Sequence, residues 1–433
     1  MNLTVRRVSR LHGEIDVPGD KSITHRALLL SALAEGPSHI SGYLDGGDCR
    51  ATTGCLRALG VTIDSPAPGE MTVHGVGLHG LREPETVLDC VRSGTTMRLL
   101  AGLLSGQPFY SVLNGDTQLV RRPMDRVVIP LRQMGATVLG RQDGRYPPLT
   151  VSGGDLHGIE YALPVASAQL KSSLLLAALY AKGETRLIEP APSRDHTERM
   201  LIGRGVPLQS HGLTHTLMGP VERLKALDVA VPGDFSSAAF FIVAALLVEN
   251  DGVLIRHVGI NPTRTGLPDI LIAMGARIEM PNSRDEGGEP VADLLVRRSD
   301  LCAVEVGGDL VPRTIDEFPI LALAATQARG TTRVRDAAEL RVKESDRIAT
   351  TVRALRALGA EIVDHPDGFD VHGPTPLRGA VAPSGGDHRL AMTLAIAGLV
   401  ADGETVVEDV GSISDSFPGF VDRLDILTEG AWR

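Results

Sequence analysis

The apolar and polar positions of this chain form a two-part pattern that returns six times. The first part is an apolar helix end followed by glycine, as in Leu-Arg-Ala-Leu-Gly60 and Leu-Arg-Ala-Leu-Gly359. The six glycines, spaced 70 to 84 residues apart, are Gly60, Gly135, Gly205, Gly275, Gly359 and Gly430. Glycine just beyond an apolar helix end is typical of a helix C-cap. Six similar ends therefore predict a pseudo-symmetric body built from six like units.

The second part of the pattern is a polar cluster that leads into an almost wholly apolar helix. The predicted helices run over 21–33, 93–104, 167–179, 234–247, 316–325 and 387–400. β-branched runs after a glycine, such as Gly330-Thr-Thr-Arg-Val, predict strands that follow these helices. A helix that is apolar on all sides has to be buried, so we expect the helices inside and the sheets outside. Ordinary core helices in layered α/β domains are the alternative that the pattern leaves open.

Two near-identical segments predict the domain boundaries. Pro18-Gly19 follows Asp-Val and Pro232-Gly233 follows Ala-Val, and an aspartate comes after each pair. Proline and glycine together suit a chain that crosses between bodies. With 433 residues, two domains are expected: 19–231 with three units, and 232–433 together with 1–18 as a returning strand.

Composition narrows the classes of function. A net charge of −10 and an aromatic content of 3% argue against nucleic acid as a partner. The longest apolar run, 238–248, is too short to span a bilayer, and the first ten residues hold no secretory signal, so a cytoplasmic location is expected. The four cysteines, Cys49, Cys55, Cys90 and Cys302, have no zinc-ligand spacing, so neither metal nor cofactor is expected.

Cationic side chains mark the polar ends of the repeated units. They are Lys21, Arg26, Arg122, Lys343, Arg347 and Arg389. Each one alone is compatible with a solvated helix end, and Ser22 is expected to cap the first helix. The spacing of Lys343 and Arg347 predicts that they share one helical face. Taken together in an acidic protein, these cations predict a site for phosphate and carboxylate groups, where Asp316 and Glu344 divide the base and acid work.

The motifs in these positions resemble those of the 5-enolpyruvylshikimate-3-phosphate synthase family. The matching segments are Pro18-Gly-Asp-Lys-Ser-Ile-Thr-His-Arg-Ala-Leu, Ser93-Gly-Thr-Thr-Met-Arg, Arg122-Pro-Met, Arg341-Val-Lys-Glu-Ser-Asp-Arg and Asp387-His-Arg-Leu-Ala-Met. The resemblance covers about residues 10 to 425. It implies an α/β fold of two inside-out domains, each of three repeated β-α-β-α-β-β units, with the active site in the cleft between them.

The resemblance also implies substrates and residue roles, with a monomer as the expected state. Shikimate-3-phosphate would be held by Lys21, Ser22, Arg26, Ser167, Gln169, Ser193, Arg194, Asp316 and Lys343. Phosphoenolpyruvate would be held by Lys21, Gly94, Arg122, Gln169, Arg347 and Arg389. Asp316 is similar to the family's base for the substrate's 5-hydroxyl. Glu344, with Lys21, would handle the proton at the methylene carbon.

Three departures from the family pattern are visible in the sequence. Arg92 stands where the family usually has asparagine before its Ser/Ala-Gly pair, and Asp415 stands where a lysine is common near the C-terminus. The third departure is the lack of a clear match for a tyrosine of the third unit, with His196 as a loose candidate.

The sequence bears on three alternatives to the predicted activity. A UDP-N-acetylglucosamine enolpyruvyl transferase has the same repeat but usually carries a Lys-Asn pair and a loop cysteine, which 91–122 lacks. A six-fold DNA clamp needs a basic lining, which an acidic chain does not favour. A phosphosugar-binding module without activity is the alternative that the sequence leaves open.

Overall fold

A computed structural model describes all residues, 1–433. The chain forms two compact units. One unit comprises 19–231 with the short segment Glu286–Glu289, and is called the 19–231 unit. The other comprises 1–18, 232–285 and 290–433, and is called the C-terminal unit.

The first helix of each repeat is buried almost along its whole length, which confirms the predicted inside-out arrangement. These inner helices are Lys21–Ala32, Gly94–Ser105, Ala168–Ala178, Phe235–Leu247, Phe318–Thr326 and His388–Gly398. In the 19–231 unit two of them touch backbone to backbone. A Cβ added at Gly102 would lie 2.0 Å from the carbonyl oxygen of Ser173, so only glycine permits this approach.

The second helix of each repeat ends at one of the six glycines that the sequence singled out. These helices are Gly47–Ala58, Asp125–Gln133, His196–Gly203, Gly266–Ala273, Arg347–Ala357 and Phe420–Thr428. Gly60 shows the geometry, with φ of +89° and its N–H donating to the carbonyl of Arg57. All six glycines have positive φ, a conformation that glycine adopts without a Cβ penalty.

Each repeat contributes one small sheet that covers the inner helices. The sheets of the 19–231 unit contain Ala34–Ser41, Thr62–Ala67, Glu70–Val76, Leu224–Lys225 and Val229–Ala230; Leu88–Asp89, Tyr110–Asn114, Thr137–Gly140 and Tyr146–Ser152; and Glu160–Ala162, Gly183–Ile188, Leu208–His211 and Thr214–Gly219. Those of the C-terminal unit contain Glu14–Asp16, Val253–Gly259, Arg277–Glu279, Arg284–Glu286 and Glu289–Arg297; Glu305–Val306, Gly330–Val334, Glu361–His365 and Gly368–Gly373; and Leu3–Arg6, Val381–Pro383 and Glu404–Glu408.

The second repeat illustrates the strand pairing. Tyr110–Asn114 pairs in parallel with Leu88–Asp89 and antiparallel with Tyr146–Ser152, which in turn pairs antiparallel with Thr137–Gly140. In Tyr146–Ser152 every second residue is buried, so one face packs on the helices and the other faces outward. This is the predicted β-α-β-α-β-β unit.

The N-terminal segment, far from these repeats in sequence, completes the sheets of the fourth and sixth repeats. Leu3–Arg6 pairs antiparallel with Glu404–Glu408, and Glu14–Asp16 pairs in parallel with Val253–Gly259. The N-terminal segment therefore supplies strands to two sheets of the C-terminal unit.

Short helical segments fill the remaining connections, and none of the helices is both long and apolar enough to cross a membrane. These segments are Leu119–Arg121, Arg141–Gly144, Leu310–Thr314, Ala338–Val342, Val410–Ser412 and Ile413–Ser416.

Candidate active site

The first inner helix begins at Lys21, but Ser22 is not its cap as predicted. Asp20 takes that position, and its Oδ1 accepts a hydrogen bond from the N–H of Ile23 at 2.8 Å. An aspartate one residue before the helix caps better because its carboxylate also complements the helix dipole. The Ser22 hydroxyl instead accepts from Nη1 of Arg194 at 3.4 Å, so two predicted shikimate-3-phosphate contacts lie together.

Lys21 lies at the start of the same helix, and its ammonium is paired with a carboxylate. Its Nζ lies 3.1 Å from Oδ2 of Asp48, and both side chains are about four-fifths buried. Asp48 had not been singled out from the sequence. The pair holds the lysine side chain at the helix start.

Arg26 lies one turn further along this helix and is buried. Its Nε donates to Oγ1 of Thr197 at 2.6 Å, and its Nη2 donates to Oγ of Ser172 at 2.7 Å. Burial lowers the pKa of Arg26 to about 10, which still leaves the guanidinium protonated at neutral pH. The two hydroxyls fix the orientation of this cation.

Gly94 opens the second inner helix, and two guanidinium groups lie against it. Ser93 caps the helix by accepting from the N–H of Thr96 at 3.1 Å. A Cβ built on Gly94 would lie 3.1 Å from Nη1 of Arg122 and 3.1 Å from Nη1 of Arg98. The missing side chain lets two cations approach a helix N-terminus, a combination that attracts anions.

Gln169 is held by residues of the same cationic region. Its Oε1 accepts from Nη1 of Arg98 at 2.5 Å, and its Nε2 donates to Oγ1 of Thr95 at 2.8 Å. Ser167 caps this third inner helix, with its Oγ accepting from the N–H of Leu170 at 3.4 Å. Arg98 thus contacts Gln169 and, like Arg122, lies against Gly94.

Ser193 and His196 lie near the start of the helix His196–Gly203. Ser193 is buried, and its hydroxyl donates to the carboxylate of Glu189. His196 is 1% exposed, with Nδ1 located 2.8 Å from Oε1 of Glu289.

Arg347 organises the predicted residues of the C-terminal unit. Its three nitrogens each pair with a different carboxylate: Nε with Asp387 at 2.9 Å, Nη1 with Asp316 at 3.1 Å, and Nη2 with Glu344 at 2.7 Å. Burial alone would lower the pKa of Arg347, but the three carboxylates raise it above its usual value. The arginine is therefore permanently charged, and it places the predicted base and acid on one guanidinium.

Asp316 faces further cations on its other oxygen. Its Oδ2 lies 3.4 Å from Nη2 of Arg389 and 3.7 Å from Nη1 of Arg264. Asp316 precedes the helix Phe318–Thr326 rather than opening it, and its side chain stays 15% exposed. A carboxylate ringed by arginines but still reachable from solvent can act on a substrate proton.

The prediction that Lys343 and Arg347 share a helical face is wrong. The helix begins only at Arg347, because Asp346 caps it by accepting from the N–H of Ala349 at 3.0 Å. Lys343 lies in extended backbone ahead of this cap. Burial lowers the pKa of Lys343, against the opposing influence of Asp316 and other nearby carboxylates.

Sequence reasoning missed several charged residues that contact the predicted ones, among them Asp48, Arg98, Glu189 and Arg264. Arg98 carried a signal, because it lies four residues after Gly94 and so shares its helical face. Asp48 and Arg264 had none, since their positions depend on tertiary packing. The predicted residues therefore form two sets, one rich in anion-binding groups in the 19–231 unit and one with paired carboxylates and arginines in the C-terminal unit.

Comparison with known proteins identifies the family. A family model described as EPSP synthase (3-phosphoshikimate 1-carboxyvinyltransferase) matches residues 5–424. The chain is 54% identical over 425 residues to a 3-phosphoshikimate 1-carboxyvinyltransferase from Citrifermentans bemidjiense, with 98% of each chain covered. It is 49% identical over 424 residues to the enzyme of that name from Bacillus subtilis, with 98% of this chain and 99% of the relative covered.

Solved structures agree with this assignment. The EPSP synthase from Acinetobacter baumannii superposes with a TM-score of 0.88 at 42% identity, covering 99% of both chains. The enolpyruvyl transferase NikO from Streptomyces tendae shares the fold, with a TM-score of 0.80 at 20% identity over 100% of this chain and 98% of that one. The chain therefore belongs to the EPSP synthase (3-phosphoshikimate 1-carboxyvinyltransferase) family.

Proposed function

We propose that this protein transfers the carboxyvinyl group of phosphoenolpyruvate to the 5-hydroxyl of shikimate-3-phosphate and releases inorganic phosphate. Family membership over nearly the whole chain supports this activity. The observation that carries it is the placement of Asp316 and Glu344 on the single buried guanidinium of Arg347. Two carboxylates beside fixed cations suit a reaction that moves protons on doubly charged substrates.

The proposed binding of shikimate-3-phosphate uses the first and third inner helices of the 19–231 unit. Ser22 and Arg194 already contact each other, and Arg26 lies one turn from Ser22. Arginines and hydroxyls beside helix N-termini are the groups that bind phosphate strongly. Ser167, Gln169 and Ser193 complete this set, with Asp316 and Lys343 from the C-terminal unit.

The proposed binding of phosphoenolpyruvate uses the cations around Gly94. Arg122 and Arg98 both lie against Gly94, Arg98 contacts Gln169, and Lys21 serves both substrates. Arg347 and Arg389 are the contacts from the C-terminal unit.

The proposed reaction has two steps. Glu344, with Lys21, delivers a proton to the methylene carbon of phosphoenolpyruvate while Asp316 accepts the proton of the 5-hydroxyl, and the new C–O bond gives a tetrahedral adduct. Loss of a proton from the new methyl group and departure of phosphate then restore the double bond as an enol ether. The arginines stabilise the phosphate charge throughout.

A phosphate-release assay tests the proposal. The protein with phosphoenolpyruvate and shikimate-3-phosphate is expected to release phosphate and form the enol ether, whereas either substrate alone gives none. Release with UDP-N-acetylglucosamine in place of shikimate-3-phosphate would instead support the related transferase activity. Binding of shikimate-3-phosphate without turnover would support a binding module and overturn the proposal.

Neighbouring arginines offer a matched pair of variants. Arg122→Gln is expected to raise the KM for phosphoenolpyruvate by about tenfold or more, because a charge-assisted contact to an anion is lost. Arg121→Gln, next in sequence but exposed, should leave both KM values unchanged. Equal effects of the two substitutions would contradict the assignment of Arg122.

A further inference from the structure

A lysine is buried completely in the 19–231 unit, in the third inner helix. Lys171 is 0% exposed, and its Nζ lies 2.7 Å from Oε2 of Glu189 and 2.6 Å from Oε1 of Glu198. Burial by itself lowers the pKa of Lys171, but the two carboxylates outweigh it and raise the pKa above its ordinary value. Lys171 is therefore an ammonium ion enclosed in the protein.

His215 completes this buried network. Its Nε2 lies 3.0 Å from Oε2 of Glu189, and its Nδ1 lies 2.9 Å from Oγ of Ser210. One ligand atom each from Glu189, Glu198 and His215 lies within 4.8 Å of the others, an arrangement that could hold a metal ion. The ammonium of Lys171, at hydrogen-bond distance from both carboxylates, already supplies the cation there.

The two glutamates form the two ends of a segment, 189–198, that contains two proposed substrate contacts. Glu189 follows the strand Gly183–Ile188, and Glu198 belongs to the helix His196–Gly203. Ser193 and Arg194 lie between them. Lys171 therefore tethers this segment, 189–198, at both ends, and its Nζ also lies 3.5 Å from the carbonyl oxygen of Ser193.

Stability alone does not account for this network. On the helix that carries Lys171, the neighbouring residues Leu170, Leu174 and Leu175 are fully buried. Buried ion pairs are frequently no more stabilising than apolar side chains of the same volume, because removing charges from water is costly. Apolar side chains at positions 171, 189 and 198 together would continue the core, so the charged network points to a different role.

We propose that Lys171 is a positioning residue for shikimate-3-phosphate: it fixes segment 189–198 so that Ser193 and Arg194 meet the substrate phosphate. This inference rests on the proposed function. Lys171 itself makes no contact with the substrate in this proposal, since it acts through Glu189 and Glu198.

The network also explains how Ser193 becomes available to a phosphate. A serine hydroxyl has one proton, which Ser193 donates to Glu189 in the free protein. When Ser193 turns that proton to a phosphate oxygen, Glu189 keeps its contacts with Lys171 and His215. The carboxylate is then still paired, so the exchange leaves no uncompensated buried charge.

A triple variant tests the proposal in the full-length protein. Lys171→Met, Glu189→Gln and Glu198→Gln together remove the charges and keep the side-chain volumes. The KM for shikimate-3-phosphate is expected to rise about tenfold or more, because misplaced binding groups lose contact with the phosphate. The KM for phosphoenolpyruvate at saturating shikimate-3-phosphate, and kcat, should change by less than about threefold. Lys182→Met, which removes a 70% exposed lysine of the same unit, is the control and should change nothing.

A milder variant keeps the test decisive if the triple variant fails to fold. Glu198→Gln leaves the pair of Lys171 and Glu189 balanced and loosens only one end of the segment. It should raise the KM for shikimate-3-phosphate about threefold with the KM for phosphoenolpyruvate unchanged. A folded variant in which only kcat or the active fraction falls would make the network purely structural and overturn the proposal. A wild-type protein without turnover would overturn the proposed function instead.

Discussion

The carboxylate of Asp387 joins Arg347 to the start of the last inner helix in the C-terminal unit. Its Oδ2 accepts from Nε of Arg347 at 2.9 Å, and its Oδ1 accepts from the N–H of Arg389 at 2.9 Å. It thereby caps the last inner helix and fixes the arginine that also contacts Asp316 and Glu344. Both partners of the pair are buried, at 2% and 1% side-chain exposure.

The Asp387 pair predicts a pH-dependent contribution to stability. Burial alone would raise the pKa of Asp387, but Arg347 outweighs it and holds the pKa below its ordinary value. The contribution is therefore fully present above the unfolded-state pKa of about 3.9 and is lost as the pH falls through the folded-state pKa. At neutral pH Asp387→Asn should cost about 3 kcal/mol, because it breaks a buried ion pair.

Urea unfolding at several pH values checks this prediction. The difference between the wild type and Asp387→Asn should be constant from pH 7 to 5 and shrink below about pH 4. Asp346→Asn is a matched control, since Asp346 also caps a helix and pairs with an arginine but is 39% exposed. Asparagine caps a helix about as well as aspartate, so this variant loses only an exposed ion pair and should cost less than about 1 kcal/mol. A difference for Asp387→Asn that stays constant down to pH 3 would contradict the shifted pKa.

Removing the proposed base should stop the chemistry and leave binding. Asp316→Asn keeps the shape of the side chain but cannot accept the hydroxyl proton, so kcat should fall about 10²- to 10⁴-fold. Shikimate-3-phosphate affinity, measured by calorimetry, should stay within about fivefold. Asp309→Asn, an exposed carboxylate in the same repeat, serves as the control. A near-normal kcat for Asp316→Asn would remove this residue from the mechanism.

A methyl group at Gly94 should weaken the binding of one substrate only. It would lie 3.1 Å from the guanidinium nitrogens of Arg122 and Arg98, and both side chains are flexible enough to move aside. The fold should therefore survive Gly94→Ala, while the KM for phosphoenolpyruvate rises about tenfold because Arg122 is displaced. The KM for shikimate-3-phosphate should change little.

Gly54→Ala provides the matched control for this substitution. Gly54 is an exposed helical glycine, and a Cβ there would meet nothing within 4 Å. It should stabilise the protein by up to about 1 kcal/mol and leave both KM values unchanged. Equal rises in both KM values for Gly94→Ala would point to a general distortion instead of a displaced Arg122.

The buried His25 predicts a loss of stability in mild acid. Its Nδ1 lies 2.7 Å from Oγ1 of Thr52, and its Nε2 is buried with no hydrogen-bond partner. Burial lowers the pKa of His25 to about 3, so the folded protein binds this proton less readily than the unfolded chain does. The contribution of neutral His25 to the free energy of unfolding is therefore fully present above about pH 6.5. Below that pH it falls by about 1.4 kcal/mol per pH unit.

Substitution separates this contribution from that of other groups. In His25→Gln the dependence of unfolding free energy on pH between 6 and 4 should be shallower than in the wild type. His211→Gln, which removes an exposed histidine of the same unit, should preserve the wild-type slope. Identical slopes for the wild type and His25→Gln would show that His25 is protonated in the folded state.

The repeat could be predicted from sequence because its signals are local. Gly60 and its five counterparts mark helix ends, since only a residue without Cβ adopts positive φ there at no cost. The apolar stretch of Phe235–Leu247 predicted a buried helix for an equally local reason, since no polar face remains for water. Positions of caps were less certain, as Asp20 and Asp346 demonstrate, because several neighbouring polar residues can compete for one helix end.

Sequence by itself determined the kind of site and most of the charged groups expected in it, because residue chemistry and motif spacing are properties of the chain. Only the tertiary structure decided which polar and charged groups pair: Arg347 with three carboxylates, Arg98 with Gln169, and Lys171 with Glu189 and Glu198. Apart from Glu344, which lies three residues before Arg347, these partners come from distant parts of the chain, so no periodicity encodes their distances. Their pairing depends on how the buried helices pack, and that packing shifts the pKa of Arg26, Lys343 and Arg347.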